Sequence, residues 1–208
     1  MPHDGEQIRR ALVAQWRVIA AAVPGVDLDR PSRVDGWRNA EVLAHLYVQP
    51  ILLGRFLGTV SEQRPAVDVT SNLAATSSFA EIIDVSARKG AELGKFSLAH
   101  PLERALPALL AADLDTIITT MQGSIRLVDY LVTRCVEAVV HGRDLVDPVE
   151  PDRAAQEIAA DALMAVLAAK APHLVHEAEN LPPALWIDIA TGRQAAPGDL
   201  ASVTPVMA

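Results

Sequence analysis

Hydrophobic residues recur at helical spacing in several long stretches of this chain, separated by prolines, glycines and polar residues. Ile8, Leu12, Trp16, Ile19 and Val23 share one face, and Asp4 with Gln7 supplies an oxygen cap and a reciprocal partner, so the pattern predicts a helix over 5–23. PGVDLDRPSRVDG, from Pro24 to Gly36, is a connector. A second helix starts near Asn39, with Val42, Leu43, Leu46 and Ile51 as its stripe and Pro50 expected to kink or interrupt it. Residues 59–77 are polar and irregular, and Ser78 with Glu81 reads as a capping box ahead of a third helix reaching Leu93. Residues 95–124 hold Pro101, Pro107 and a β-branched run, TIITTM, which reads as extended. The helical pattern returns over 125–146, the most apolar in the chain, and Asp152 is expected to cap a last helix over 153–171. Beyond Leu181, ALWIDIATGR reads as a short strand and a turn. The pattern predicts a mostly α protein: one helical bundle and a small tail.

Composition narrows what such a bundle does. With 208 residues, 50% hydrophobic and 21% charged, the chain describes an ordinary globular protein with one sizeable core. A formal charge of −8 argues against a broad surface for nucleic acid or anionic lipid. No apolar run approaches the roughly 18 residues of a membrane span, and MPHDGEQIRR lacks the apolar core of a signal peptide. Cys135 is the one cysteine, so no internal disulfide forms and the expected compartment is the cytoplasm.

Candidate chemistry lies in VEAVVHGRDL, on the most apolar helix. Tyr130, Arg134, Glu137, His141 and Asp144 follow one another at intervals of 4, 3, 4 and 3, which keeps them in one narrow stripe. Two readings stand side by side. The stripe is a wet face, or Glu137 and His141 are metal ligands on adjacent turns, with donors that suit zinc and are also accepted by nickel and iron. A third ligand must then come from elsewhere. His3 is terminal, His100 lies in a predicted loop, and His173 and His176 lie at or beyond the end of the last helix. His45 stands alone in the apolar helix AEVLAHLYV, and spacing alone leaves its role open.

RPSRVDGWRNAEVLAHL, residues 30–46, followed by RCVEAVVHGRDL, residues 134–145, resembles the amino-terminal domain of the mycothiol-dependent maleylpyruvate isomerase family. That domain belongs to the DinB-like group of metal-binding four-helix bundles. The elements carrying the resemblance are Pro31, Ser32, Gly36, Trp37 and His45, then Arg134, Glu137, His141, Gly142, Asp144 and Leu145. It implies a DinB-like bundle over residues 1–150, followed by a C-terminal helix and shortened tail over 151–208. It also implies that His45, Glu137 and His141 form a metal triad with an open position, the arrangement of a catalytic zinc. Asp144 is then a candidate to orient a ligand or helix end, or else a solvated residue near a helix terminus. Arg134 either binds an anionic group or pairs with Glu137 or Asp144, and Trp37 anchors the helix entrance. Two departures stand out. Arg38 occupies the position where the family carries a Ser or Thr cap, leaving capping to Asn39. In place of the isomerase's substantial α/β domain, WIDIATGRQAAPGDLASVTPVM is similar to an abbreviated sterol-carrier-like segment.

The resemblance implies a small-molecule substrate and a low-molecular-weight thiol, mycothiol, activated by the metal for isomerisation or S-transfer. The protein then needs no nucleophile of its own, and Cys135 lies about 200° around the helix from Glu137. A non-catalytic metal- or ligand-binding interaction protein on the same bundle is the competing expectation, with a metal hydrolase using zinc-bound water as a third. A homodimer is the expected assembly for a bundle with a shortened partner segment.

Overall fold

Leu127–Asp144 forms the central helix, and all but four of its 18 residues are buried. The computed structural model describes residues 3–94 and 96–207. In chain order its helices are α1 (Gly5–Ala22), α2 (Asn39–Phe56), α3 (Val69–Ala74), α4 (Ala80–Glu92), α5 (Ala99–Ala111), α6 (Leu127–Asp144), α7 (Arg153–Lys170), α8 (Val175–Glu179) and α9 (Pro183–Ala190). One hairpin, β1 (Ile117–Thr120) and β2 (Gly123–Arg126), interrupts them. The mostly α architecture matches the hydrophobic pattern. Helix α6 packs against α1, α2 and α7, while α2 also packs against α4 and α5. Trp16, Leu131, Val132, Val136 and Leu163 are among the side chains of one continuous core. Truncating one such side chain to alanine typically costs about 2–5 kcal/mol. None of the described helices is long and apolar enough to cross a membrane.

Several element boundaries follow directly from local chemistry. The Asp4 carboxylate accepts from the Gln7 backbone N–H at 2.7 Å, and Asp152 caps α7 by accepting from the Ala155 N–H at 3.0 Å. TIITTM is extended as expected: β1 pairs antiparallel with β2, Ile118 opposite Ile125 and Thr120 opposite Gly123.

Other readings are corrected. Helix α2 runs through Pro50 without interruption. Asn39 does not cap it. Its amide donates to the Asp27 carbonyl and its oxygen accepts from the Val146 N–H, while the Glu41 carboxylate takes the Arg38 N–H at 2.8 Å. Ser78 and Glu81 form no capping box, because a short 3-10 turn over Thr76–Phe79 leads straight into α4. Residues 69–74 and 99–111, read as irregular or left open, are helices.

The tail is the largest correction. ALWIDIATGR holds no strand, since Pro183 opens helix α9, which buries Trp186, Ile187, Ile189 and Ala190. The residues from 172 to 202 are built from short helices and turns, so the α/β character expected of the tail is absent among the described residues. The physical reason is packing. WIDI alternates like a strand, but with no sheet beside it the segment satisfies its backbone internally and lays its apolar side on α7.

Candidate metal centre

Two neighbouring helices bring the predicted triad together. His45 lies on α2, and Glu137 and His141 lie one turn apart on α6. Close approach on the other side of α2 is allowed by Gly90 of α4, where an added Cβ would meet the Ala44 Cβ at 2.9 Å. One donor atom from each of His45, Glu137 and His141 falls within 4.8 Å of the others, the one such group among the described residues. His45 Nε2 is 2.9 Å from Glu137 Oε2, and His141 Nε2 is 3.5 Å from the same oxygen. The stripe on α6 is not a wet face: Tyr130, Glu137 and Asp144 are all buried.

Hydrogen bonds around the triad determine where the lone pairs point. His141 Nδ1 lies 2.9 Å from Asp144 Oδ2, so its N–H donates there and Nε2 is the nitrogen directed towards Glu137. On the opposite side, Gln49 Oε1 accepts from Arg134 Nη1, which turns the Gln49 amide N–H towards His45 Nε2 at 3.1 Å. The same nitrogen lies 2.9 Å from Glu137 Oε2, which accepts from it when Nε2 carries the ring proton. With their Nε2 protons displaced, the two imidazoles and the Glu137 carboxylate offer three ligand atoms within 4.8 Å of one another, a donor set that fits a divalent cation.

The electrostatics run in opposite directions at the two histidines. Burial lowers the pKa of His45, outweighing its bond to Glu137. At His141 burial opposes the charge, but the bonds to Asp144 and Glu137 prevail and raise the pKa to about 9. Glu137 is held well below the usual carboxylate range, since His141, His45 and Arg134 outweigh its burial. A cation entering the triad therefore competes with the proton that His141 binds.

Beyond the triad, each remaining residue of the motif has a definite place. Asp144 is fully buried, not solvated, and both its oxygens accept from Arg193, Oδ1 from Nε at 3.0 Å and Oδ2 from Nη2 at 2.8 Å. Arg134 pairs with neither Glu137 nor Asp144. It bonds Gln49 and Thr133 and lies over the Tyr130 ring, 4.9 Å from the centroid. Trp37 does more than anchor a helix entrance. Its ring stacks on His141 with centroids 6.3 Å apart and tilts against His45 at 5.9 Å, while its indole N–H donates to Asp84 of α4 at 2.7 Å. His3 lies 3.0 Å from Asp161 and is not part of the triad.

His45 and Glu137 of the triad line a pocket of about 230 Å³ between α2, α4, α6 and the hairpin turn. Val48, Leu52, Phe56, Phe79, Ile82 and Met121 give it apolar walls, and Arg134, Gln49 and Glu137 supply polar groups on its floor. Among the described residues no carboxylate lies within ion-pair distance of Arg134. Gln49 and Arg193 were not singled out in the sequence. Gln49 had a signal, one turn after His45 on the same face; Arg193 had none, 49 residues beyond Asp144.

With this geometry in view, the family model for the mycothiol maleylpyruvate isomerase N-terminal domain matches residues 9–146. The chain belongs to this family. Every residue of the triad falls inside the matched segment. The crystal structure of the mycothiol-dependent maleylpyruvate isomerase is similar in fold, with a TM-score of 0.52 and 16% identity over 78% of this chain and 69% of that one. No curated protein matches the chain in sequence.

Proposed function

We propose that this member of the mycothiol maleylpyruvate isomerase N-terminal family is a metal-dependent enzyme that uses a low-molecular-weight thiol such as mycothiol, as an isomerase or an S-transferase. The observation that carries the reading is the grouping of ligand atoms from His45, Glu137 and His141 within 4.8 Å of one another, with His45 and Glu137 lining a pocket that also holds Arg134. Zinc held by these residues would supply a Lewis acid that lowers a thiol's pKa and keeps it in the nucleophilic thiolate form.

The chain's own residues account for the remaining requirements. The Arg134 guanidinium, aimed into the pocket, orients an anionic group of the substrate. Phe56, Phe79 and Ile82 limit the water around the reacting centre, which strengthens each polar contact inside. Asp144 holds the proton of His141 on Nδ1 and keeps Nε2 directed at the site. The protein offers no competing thiol nucleophile, because Cys135 is buried and burial pushes its pKa upward.

Elemental analysis of chelator-free protein, with His45→Ala and His141→Ala alongside, is the first test. About one zinc per native chain, lost in both variants, is the expected result. Mycothiol and maleylpyruvate are then supplied to the zinc-loaded protein and thiol-dependent turnover is followed. Zinc binding without any thiol-dependent reaction across a panel of activated alkenes and alkyl electrophiles would favour a binding protein on the same bundle. A native protein that takes up no zinc would end the enzyme reading.

A further inference from the structure

The C-terminal segment reaches Asp144, the partner of His141, through the side chain of Arg193. Helix α9 ends at Ala190, and Gly192 follows with φ +76°, a left-handed conformation that glycine adopts without strain. The Gly192 N–H donates to the Ile189 carbonyl at 3.1 Å and the Arg193 N–H to the Asp188 carbonyl at 2.7 Å, the paired bonds of a Schellman turn. That turn reverses the chain and directs Arg193 back across α6. The turn is itself held down, since Asp188 accepts from Arg143 Nη2 at 2.8 Å, and the Val206 N–H donates to the Ala190 carbonyl at 2.9 Å. At its end the Arg193 guanidinium grips both oxygens of Asp144, whose side chain is only 1% exposed.

We propose that Arg193 is a positioning residue of the metal centre, supplied from outside the family-matched segment, which clamps Asp144 and through it fixes the His141 ring as a ligand. The inference rests on the metal reading of the triad given above. Its physical basis is geometric. A carboxylate with a single partner can rotate about its terminal torsion, whereas one held at both oxygens by a planar guanidinium cannot turn without breaking two charge-assisted bonds. The Asp144 oxygen that accepts from Arg193 Nη2 is the same oxygen that faces His141 Nδ1. Clamping it therefore sets the direction of the His141 N–H, and with it the direction of the Nε2 lone pair. Partners of this kind, one bond removed from a metal, are typically worth about 10- to 100-fold in affinity.

The test measures zinc affinity by competition with a chromogenic chelator, on the full chain at fixed pH, for native protein, Arg193→Ala, Arg193→Lys and Arg33→Ala. Arg33 serves as the control because its side chain pairs with Asp188 of the same tail, at 3.3 Å, and makes no bond to the Asp144 carboxylate, while its backbone N–H bond to the Asp144 carbonyl is kept in the alanine variant. Arg193→Ala should raise the zinc dissociation constant about 10- to 100-fold, and Arg193→Lys should recover part of the loss. Arg33→Ala should leave the constant unchanged. Cobalt-loaded Arg193→Ala should also show altered d–d bands, which loss of tail packing alone would not produce. Native affinity and a native cobalt spectrum in Arg193→Ala would overturn the inference while leaving the metal reading intact. Equal weakening in Arg33→Ala would overturn it too, by assigning the effect to tail docking. If Arg193→Ala fails to fold, native affinity in Arg193→Lys with its single-point contact decides against the clamp. A native protein that binds no zinc removes the metal reading and this inference together.

Discussion

The two histidines of the triad sit on either side of the same Glu137 oxygen, yet they are supported in opposite ways. His141 is backed by a carboxylate, and that carboxylate by an arginine, in a layered array with the buried Asp144 between His141 and Arg193. His45 is backed by the neutral amide of Gln49, and that amide by Arg134, at the floor of a pocket. One side resembles an anchor and the other a working face. Charge explains the division: an ionised chain of partners is tolerated where it is largely buried and fully paired, and the side that faces the pocket keeps an arginine with no carboxylate bound to it.

The strongest way to break this comparison is to remove the group both sides share. Glu137→Gln should abolish stoichiometric zinc, read by elemental analysis, because a neutral amide leaves two imidazoles without a charged ligand. Next in size is the anchor itself. Asp144→Ala strands the largely buried Arg193 guanidinium and should lower unfolding stability by about 3–5 kcal/mol in urea titrations, besides weakening zinc. Gln49→Ala removes one neutral hydrogen-bonded group and should cost only about 1 kcal/mol in the same titration. If the two substitutions cost the same, the asymmetry is not real.

Proton competition sharpens the contrast. The pKa of His141 is raised to about 9, so its imidazole carries the proton at neutral pH and must release it when a metal binds. Apparent zinc affinity should therefore fall as pH drops below about 9, by up to tenfold per unit, and level off above that value. Calorimetry in two buffers of different ionisation enthalpy at pH 7.5 should report close to one proton released per zinc in the native protein. The smallest effect on metal is expected at Arg134. Arg134→Ala should leave zinc binding unchanged while weakening capture of a carboxylate-bearing ligand, measured by titration on the zinc-loaded protein.

Much of the site could be read from spacing because its central part is local. Glu137, His141 and Asp144 share a helix, and intervals of 4 and 3 place them together whatever the rest of the chain does. His45 was recoverable through the family motif, and Gln49 could have been found by taking the same i, i+4 step along α2. Asp144 was ambiguous, since a residue at a helix terminus is ordinarily wet and nothing nearby in the chain announces a partner 49 residues away. The misread segments share a cause as well. Pro107 and a polar lead-in obscured α5, and the alternation of WIDI imitated a strand in α9, because short apolar stretches carry no decisive period.

The sequence by itself determined the mostly α architecture, the caps at Asp4 and Asp152, the extended TIITTM run and the polar stripe on α6. These depend on contacts within a few residues, where backbone geometry leaves few alternatives. The tertiary structure alone decided that the stripe faces inward, that Arg134 turns to the pocket instead of to Glu137, that the tail is helical, and that Arg193 closes on Asp144. Those outcomes depend on which distant surfaces meet. A buried charge takes the partner that packing brings to it, and helix against strand in a short apolar tail is decided by the surface it covers.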